Sequence, residues 1–118
     1  MNERELRDFR ELQVWQKSRH LMLALFNATE TFPEESSYEL ASLIRHDCLS
    51  IAANIAKGYD KLKNASIGDF FEIALSAVND LQYHLLAAQS RGLLNRPSYQ
   101  QFAHELTAVK RMLTSSIH

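Results

Sequence analysis

Five histidines, one cysteine and two polar residues on a single helical stretch are the side chains in this 118-residue sequence best suited to chemistry. His20, His46, His84, His104 and His118 are scattered, and no HxxxH, HExxH or Glu-x-x-His pattern occurs. Helical bundles that hold metal draw on inward Glu residues and Glu-x-x-His pairs, so no metal site and no cofactor is expected. His46 and Asp47 are neighbours; on a helix they point about 100° apart and cannot close on one ion. Cys48 lies mid-helix on an apolar face, with no helix N-terminus to lower its pKa, and reads as a buried, inert thiol. No P-loop, serine elbow or dinucleotide glycine pattern is present, so no enzyme activity is expected.

Two polar features remain. Asp47 and Asn54 stand seven residues apart and share one side of a helix. They read as a polar pair at the margin of a bundle, bonded across helices to Ser18 or Asp80 and fixing register. The alternative is a small-ligand or catalytic pocket beside them. Lys57, Lys61 and Lys63 surround Tyr59 near a helix end. Such a loop can touch phosphates while the ring stacks on a base. It is equally a solvated turn with cations at a helix C-terminus. Arg45, on the same helix, joins these as a candidate nucleic-acid contact.

The elements that position these residues follow from periodicity. Val14, Trp15, Ser18, Leu21, Met22, Leu25 and Phe26 recur at helical spacing. That helix begins near Leu12 and ends by Phe32, because Pro33 disfavours helical conformation in the residue before it. Ser36-Ser37-Tyr38-Glu39 has capping-box form and predicts the next helix start at Ser36. Ile44, Cys48, Ile51 and Ile55 give that helix its core face, and Gly58 reads as its left-handed stop. A third helix spans about 65–91, with Asn64 or Ser66 as its cap, Gly68 in its first turn and Arg91-Gly92 as its end. Asn95 and Pro97 open a fourth, whose tail from Thr114 frays. Leu23, Leu75 and Leu86 fall off the core stripes and are candidate subunit contacts.

These elements predict an all-α protein: one domain over 1–118, an antiparallel up-down-up-down four-helix bundle with a charged lead-in over 1–10. Only three Gly and two Pro interrupt the chain. The net charge of −1 lacks the basic excess of a nucleic-acid-coating protein, while leaving local patches open. A single cysteine excludes an internal disulfide. No apolar run approaches transmembrane length, and Met1-Asn2-Glu3-Arg4-Glu5-Leu6 has no signal-peptide core, so a soluble cytoplasmic protein without membrane contact is expected.

Two elements are specific enough to suggest a family. They are Val14-Trp15-Gln16-Lys17, within Phe9 to Lys17, and Ser50-Ile51-x-x-Asn54-Ile55-Ala56-x-Gly58. With Phe32-Pro33, Tyr38-x-Leu40, Ile44-Arg45, Phe70-Phe71-Glu72-Ile73-Ala74 and Asp80-Leu81, the chain resembles the four-helix-bundle proteins encoded in intervening sequences of bacterial 23S ribosomal RNA genes. The resemblance covers about Phe9 to Leu113. It implies a left-handed bundle assembled as a ring-like homopentamer, with no established activity. It also implies RNA as a partner, from the family's genomic setting, or a nucleic-acid enzyme, from related bundle proteins that bind a reverse transcriptase. Lys57 stands where the family usually has Glu, His46 where it has Arg, and Lys61 where it has Arg. Glu39 and Ser76 replace Gly, and Ile67 replaces Phe. Lys57 makes this helix end more basic than the family pattern.

Overall fold

The computed structural model describes residues 8–60 and 67–117. Four helices account for most of them: α1 (Gln13–Thr29), α2 (Glu34–Asp60), α3 (Ile67–Ser90) and α4 (Arg96–Ile117). No strand occurs among the described residues. Among the described residues, contacts between the helices run α1–α2, α2–α3, α3–α4 and α4–α1 and none crosses a diagonal, so the helices close as a four-membered ring around one core. Successive helices are antiparallel: Asp47 meets His84 near the middle of α2 and α3, while Gly58 meets Phe71 at one end.

A short 3-10 turn, Phe9–Glu11, leads into α1. Asp8 caps it by accepting from the Arg10 amide at 2.8 Å, and the Arg10 guanidinium beside it holds the Asp8 carboxyl below its ordinary value. Phe9 packs edge-on against Trp15, with ring centroids 5.1 Å apart. α1 buries Val14, Ser18, Leu21, Leu25 and Thr29 along one stripe. Approaching Pro33, the backbone tightens to i→i−3 bonds from Glu30, Thr31 and Phe32, as expected where a proline prevents the helix from continuing.

Three termini differ from the sequence expectation. α2 starts at Glu34, so the Ser36 capping box does not form. Glu34 and Glu35 sit in the first turn, where negative charge meets the positive end of the helix. The Ser37 hydroxyl donates back to the Pro33 carbonyl, and the Ser36 carbonyl accepts from Arg91 at the end of α3. At its other end α2 runs past Gly58 to Asp60, and Gly58 does not take a positive φ. The fourth helix continues through Ile117, with Thr114 and Ser116 hydroxyls bonded back to the carbonyls of Lys110 and Met112 instead of fraying.

The other stop signal holds. Gly92 has φ +76°, the Leu93 amide reaches Ala88 O at 2.9 Å, and the Gly92 amide reaches Gln89 O at 3.0 Å. This is the paired bonding of a Schellman motif, which needs a left-handed residue at that place. Asn95 then caps α4, its Oδ1 accepting from the Ser98 amide at 2.8 Å, and Pro97 fits inside the first turn. The expected caps Asn64 and Ser66 lie outside the described residues, as does the lead-in before Asp8.

Ile44, Ile55, Val78, Leu81, Leu106 and Leu113 are fully enclosed at the centre. All sit on the stripes that periodicity defines. Leu40 and Ala41 extend the α2 stripe by one turn, and Leu94 joins the core from the connection between α3 and α4.

Candidate functional site

Asp47 is buried on the flank of α2 that faces α3. Its partner is His84, whose Nδ1 lies 2.6 Å from Asp47 Oδ2. With the carboxylate ionised, the imidazole Nδ1–H donates. The expected partners were Ser18 and Asp80. Ser18 instead turns its hydroxyl to Val14 O at 2.8 Å within α1, and Asp80 acts on Asp47 only through its like charge, one helical turn from His84. Asn54 does not cross between helices either. Its Nδ2 donates to Ser50 O at 2.8 Å and to Ser50 Oγ at 3.3 Å, closing a loop on α2 itself.

Burial raises the Asp47 pKa above 3.8; the His84 hydrogen bond and charge oppose this, Asp80 adds to it, and His46 opposes it. A raised native pKa means the folded protein takes up the proton before the unfolded chain does. Asp47 therefore contributes stability that is fully present below the unfolded value and is lost as pH rises through the native one. A carboxyl NMR titration should place the Asp47 midpoint above 3.8. The unfolding free energy of wild type relative to Asp47→Asn should rise on acidification through that midpoint. A midpoint below 3.8 would mean the His84 bond outweighs burial.

A carboxylate holding an imidazole is also the geometry that orients a general base. Here the adjacent thiol cannot serve it. Cys48 is buried in the core, and burial, helped by the nearby Asp47 charge, pushes its pKa up to about 12. The pair acts as a strut between α2 and α3.

One turn past Asn54 the same seam closes tightly. A Cβ built on Gly58 would fall 2.5 Å from two ring atoms of Phe71 and 3.4 Å from Phe70 Cβ. Gly58 is thus required for the approach of α3, not for a turn.

Among the described residues, the basic candidates Arg45 and Lys57 do not lie together. Arg45 is half-buried: its Nε donates to Thr29 Oγ1 at 2.9 Å and its guanidinium lies 5.8 Å from the Phe26 ring centroid, tying α2 to α1. Lys57 is exposed in the last turn of α2, about 18 Å along the helix from Arg45. Tyr59 is partly buried, and Lys61 and Lys63 lie outside the described residues. Among the contact candidates, Leu23 and Leu86 are 44% and 48% exposed, whereas Leu75 packs partly against the core. Leu49 and Ile73, 52% and 50% exposed, and Leu43 join them without having been expected to. Their signal is present in the sequence: each is an aliphatic residue off the core stripe of its helix.

Grooves follow the helix seams. One between α1 and α4, about 620 Å³, is lined by Gln16, Lys17, His20, His104 and Glu105 among others. Another between α3 and α4, about 340 Å³, includes Tyr83, Leu86, Tyr99 and Ala103. Neither contains Asp47 or Asn54. Among the described residues, no group of three His, Cys, Asp or Glu side chains comes together to hold a metal ion. No helix there is long and apolar enough to cross a membrane.

Two of the quoted segments, 50–58 and 70–74, therefore meet in space where Gly58 faces Phe70 and Phe71 across the α2–α3 seam. The profile of the 23S rRNA-intervening sequence protein family matches residues 10–115. The chain belongs to this family. Among solved structures, this family member is similar to a protein of unknown function from the S23 ribosomal protein family of Bacteroides thetaiotaomicron VPI-5482. The two are 24% identical with a TM-score of 0.79, over 88% of this chain and 97% of that chain. At that identity the likeness establishes the shared fold. No match was found among curated proteins.

Proposed function

We propose that this family member is a non-enzymatic scaffold that assembles as a homopentameric ring. In this reading it engages RNA, or a protein that processes nucleic acid, through the Lys57–Tyr59 end of α2 and the connection bearing Lys61 and Lys63. The observation that carries the reading is the contrast between core and surface. The core is filled, and its titratable groups Asp47 and Cys48 are enclosed, while Leu23, Leu43, Leu49, Ile73 and Leu86 stand close to half exposed on α1, α2 and α3. Isolated exposed leucines are ordinary; five on three helices of so small a bundle are what association with other copies would cover. Leu75, the third leucine off the core stripes, is a half-buried neighbour of the core. The alternative of a ligand pocket at Asp47 and Asn54 is less well supported, since each already has a bonding partner within the protein.

Retention of single-stranded RNA on a filter tests the nucleic-acid arm. Three lysine contacts predict about a tenfold loss of affinity for a threefold rise in salt. Lys57→Glu with Tyr59→Ala should abolish retention at low salt. Retention that is absent in wild type, or insensitive to salt, would remove RNA from the reading.

A further inference from the structure

A net charge near zero conceals a division of charge by helix. α1 holds two Lys/Arg residues and no carboxylate, and α4 holds three against Glu105 alone. α2 holds five carboxylates and α3 three, against Arg45 and Lys57 only. Because the helices close in the order α1, α2, α3, α4, the basic pair and the acidic pair form opposite long sides of the bundle. Lys17 and Arg111 are exposed on the α1–α4 side, and Glu39, Glu72 and Asp80 on the α2–α3 side. Among the described residues none of these five takes part in an intrachain ion pair.

We propose that the α1–α4 side of one copy docks on the α2–α3 side of the next, head to tail. This rests on the self-association proposed above and specifies its two faces. A two-fold dimer centred on either side would set like charge against like, which is unfavourable at a contact. A head-to-tail contact sets basic against acidic, and it closes into a ring, instead of an open stack, when copies meet along one edge of these sides so that each is turned by the same fraction of the circle. Shape agrees with charge. The α1–α4 side is grooved, with Lys17, His20 and His104 along the groove, and it can receive an acidic ridge. Glu105 in that groove is already engaged by the Gln101 amide at 2.9 Å. The bundle measures 50 × 22 × 22 Å, so one long side exceeds the ~800 Å² per partner of a standard interface. Leu43 and Ile73, half-exposed on the acidic helices, supply apolar area that charge alone would lack.

Two full-length double variants test the faces, with mass in solution as the readout and circular dichroism as the check on folding. Lys17→Glu/Arg111→Glu reverses the basic side, and Glu39→Lys/Glu72→Lys the acidic side. Each alone should weaken self-association about tenfold or more at low salt. A variant carrying all four substitutions should restore assembly, because its two reversed faces match each other in a ring of any number of copies. Wild-type assembly should weaken between about 0.05 M and about 1 M salt, where the screening length falls to ~3 Å. If both double variants assemble as wild type does, if the four-substitution variant restores nothing, or if wild-type assembly ignores salt, the docking is wrong while the oligomeric reading stands. A wild-type monomer at low salt would overturn both. RNA retention lost in Lys17→Glu/Arg111→Glu with its mass unchanged would assign the basic side to nucleic acid and overturn the proposal.

Discussion

Gly58→Val should cost about 3 kcal/mol of folding stability, the upper part of the usual range for forcing extra carbons into a packed seam. The reason is the Phe71 ring, 2.5 Å from where a Cβ would stand. Phe71 is itself buried, so its ring can move only by displacing other core side chains. Gly58→Ala should cost less, because alanine recovers about 1 kcal/mol of helix propensity over glycine. A double-mutant cycle separates this account from a capping role. Phe71→Leu shortens the opposing side chain and should relieve most of the Gly58→Ala penalty, whereas a glycine needed for its φ would show the same penalty in both backgrounds. Urea unfolding of the four proteins measures the coupling, and a coupling energy near zero would refute the close-approach account.

Leu81→Ala should be the most damaging single truncation, at about 2–5 kcal/mol. Leu81 is fully buried on α3, which packs between α2 and α4. Its loss opens a cavity inside the buried cluster, which relaxes only in part. Against a total of about 5–15 kcal/mol for a domain of this kind, that is a large share. The midpoint of urea unfolding should fall with the slope unchanged. A loss under about 1 kcal/mol would mean that the centre of the bundle is not where Leu81 lies.

The pattern that makes the bundle legible is the 3.6-residue recurrence of apolar residues, which by itself points Leu21, Ile44, Val78 and Leu106 inward, where they are buried. What stays illegible depends on residues distant in sequence. A glycine that ends a helix and a glycine that admits a neighbouring helix look alike, and only Phe71, thirteen positions on, distinguishes them. Asp47 reads as bonding across helices, and it does, but its partner is set by the α2–α3 register, which selects His84 over Asp80 one turn away. The start of α2 is ambiguous in sequence because two local signals compete. Ser36 and Glu39 can form a box, yet Pro33 followed by two acids already satisfies a helix start two residues earlier.

The division of charge is countable from the sequence, but it has no meaning until the ring order of the helices puts α1 beside α4 and α2 beside α3. Likewise the half-exposed Leu49 and Ile73 become informative only because the core is complete without them. Both features point outward from a finished bundle toward other molecules, which is why the proposed role is one of assembly.

The most direct test is the mass of the purified chain at low salt by multi-angle light scattering. The account predicts a species of five times the 13.6 kDa chain mass. A single species at 13.6 kDa would contradict it.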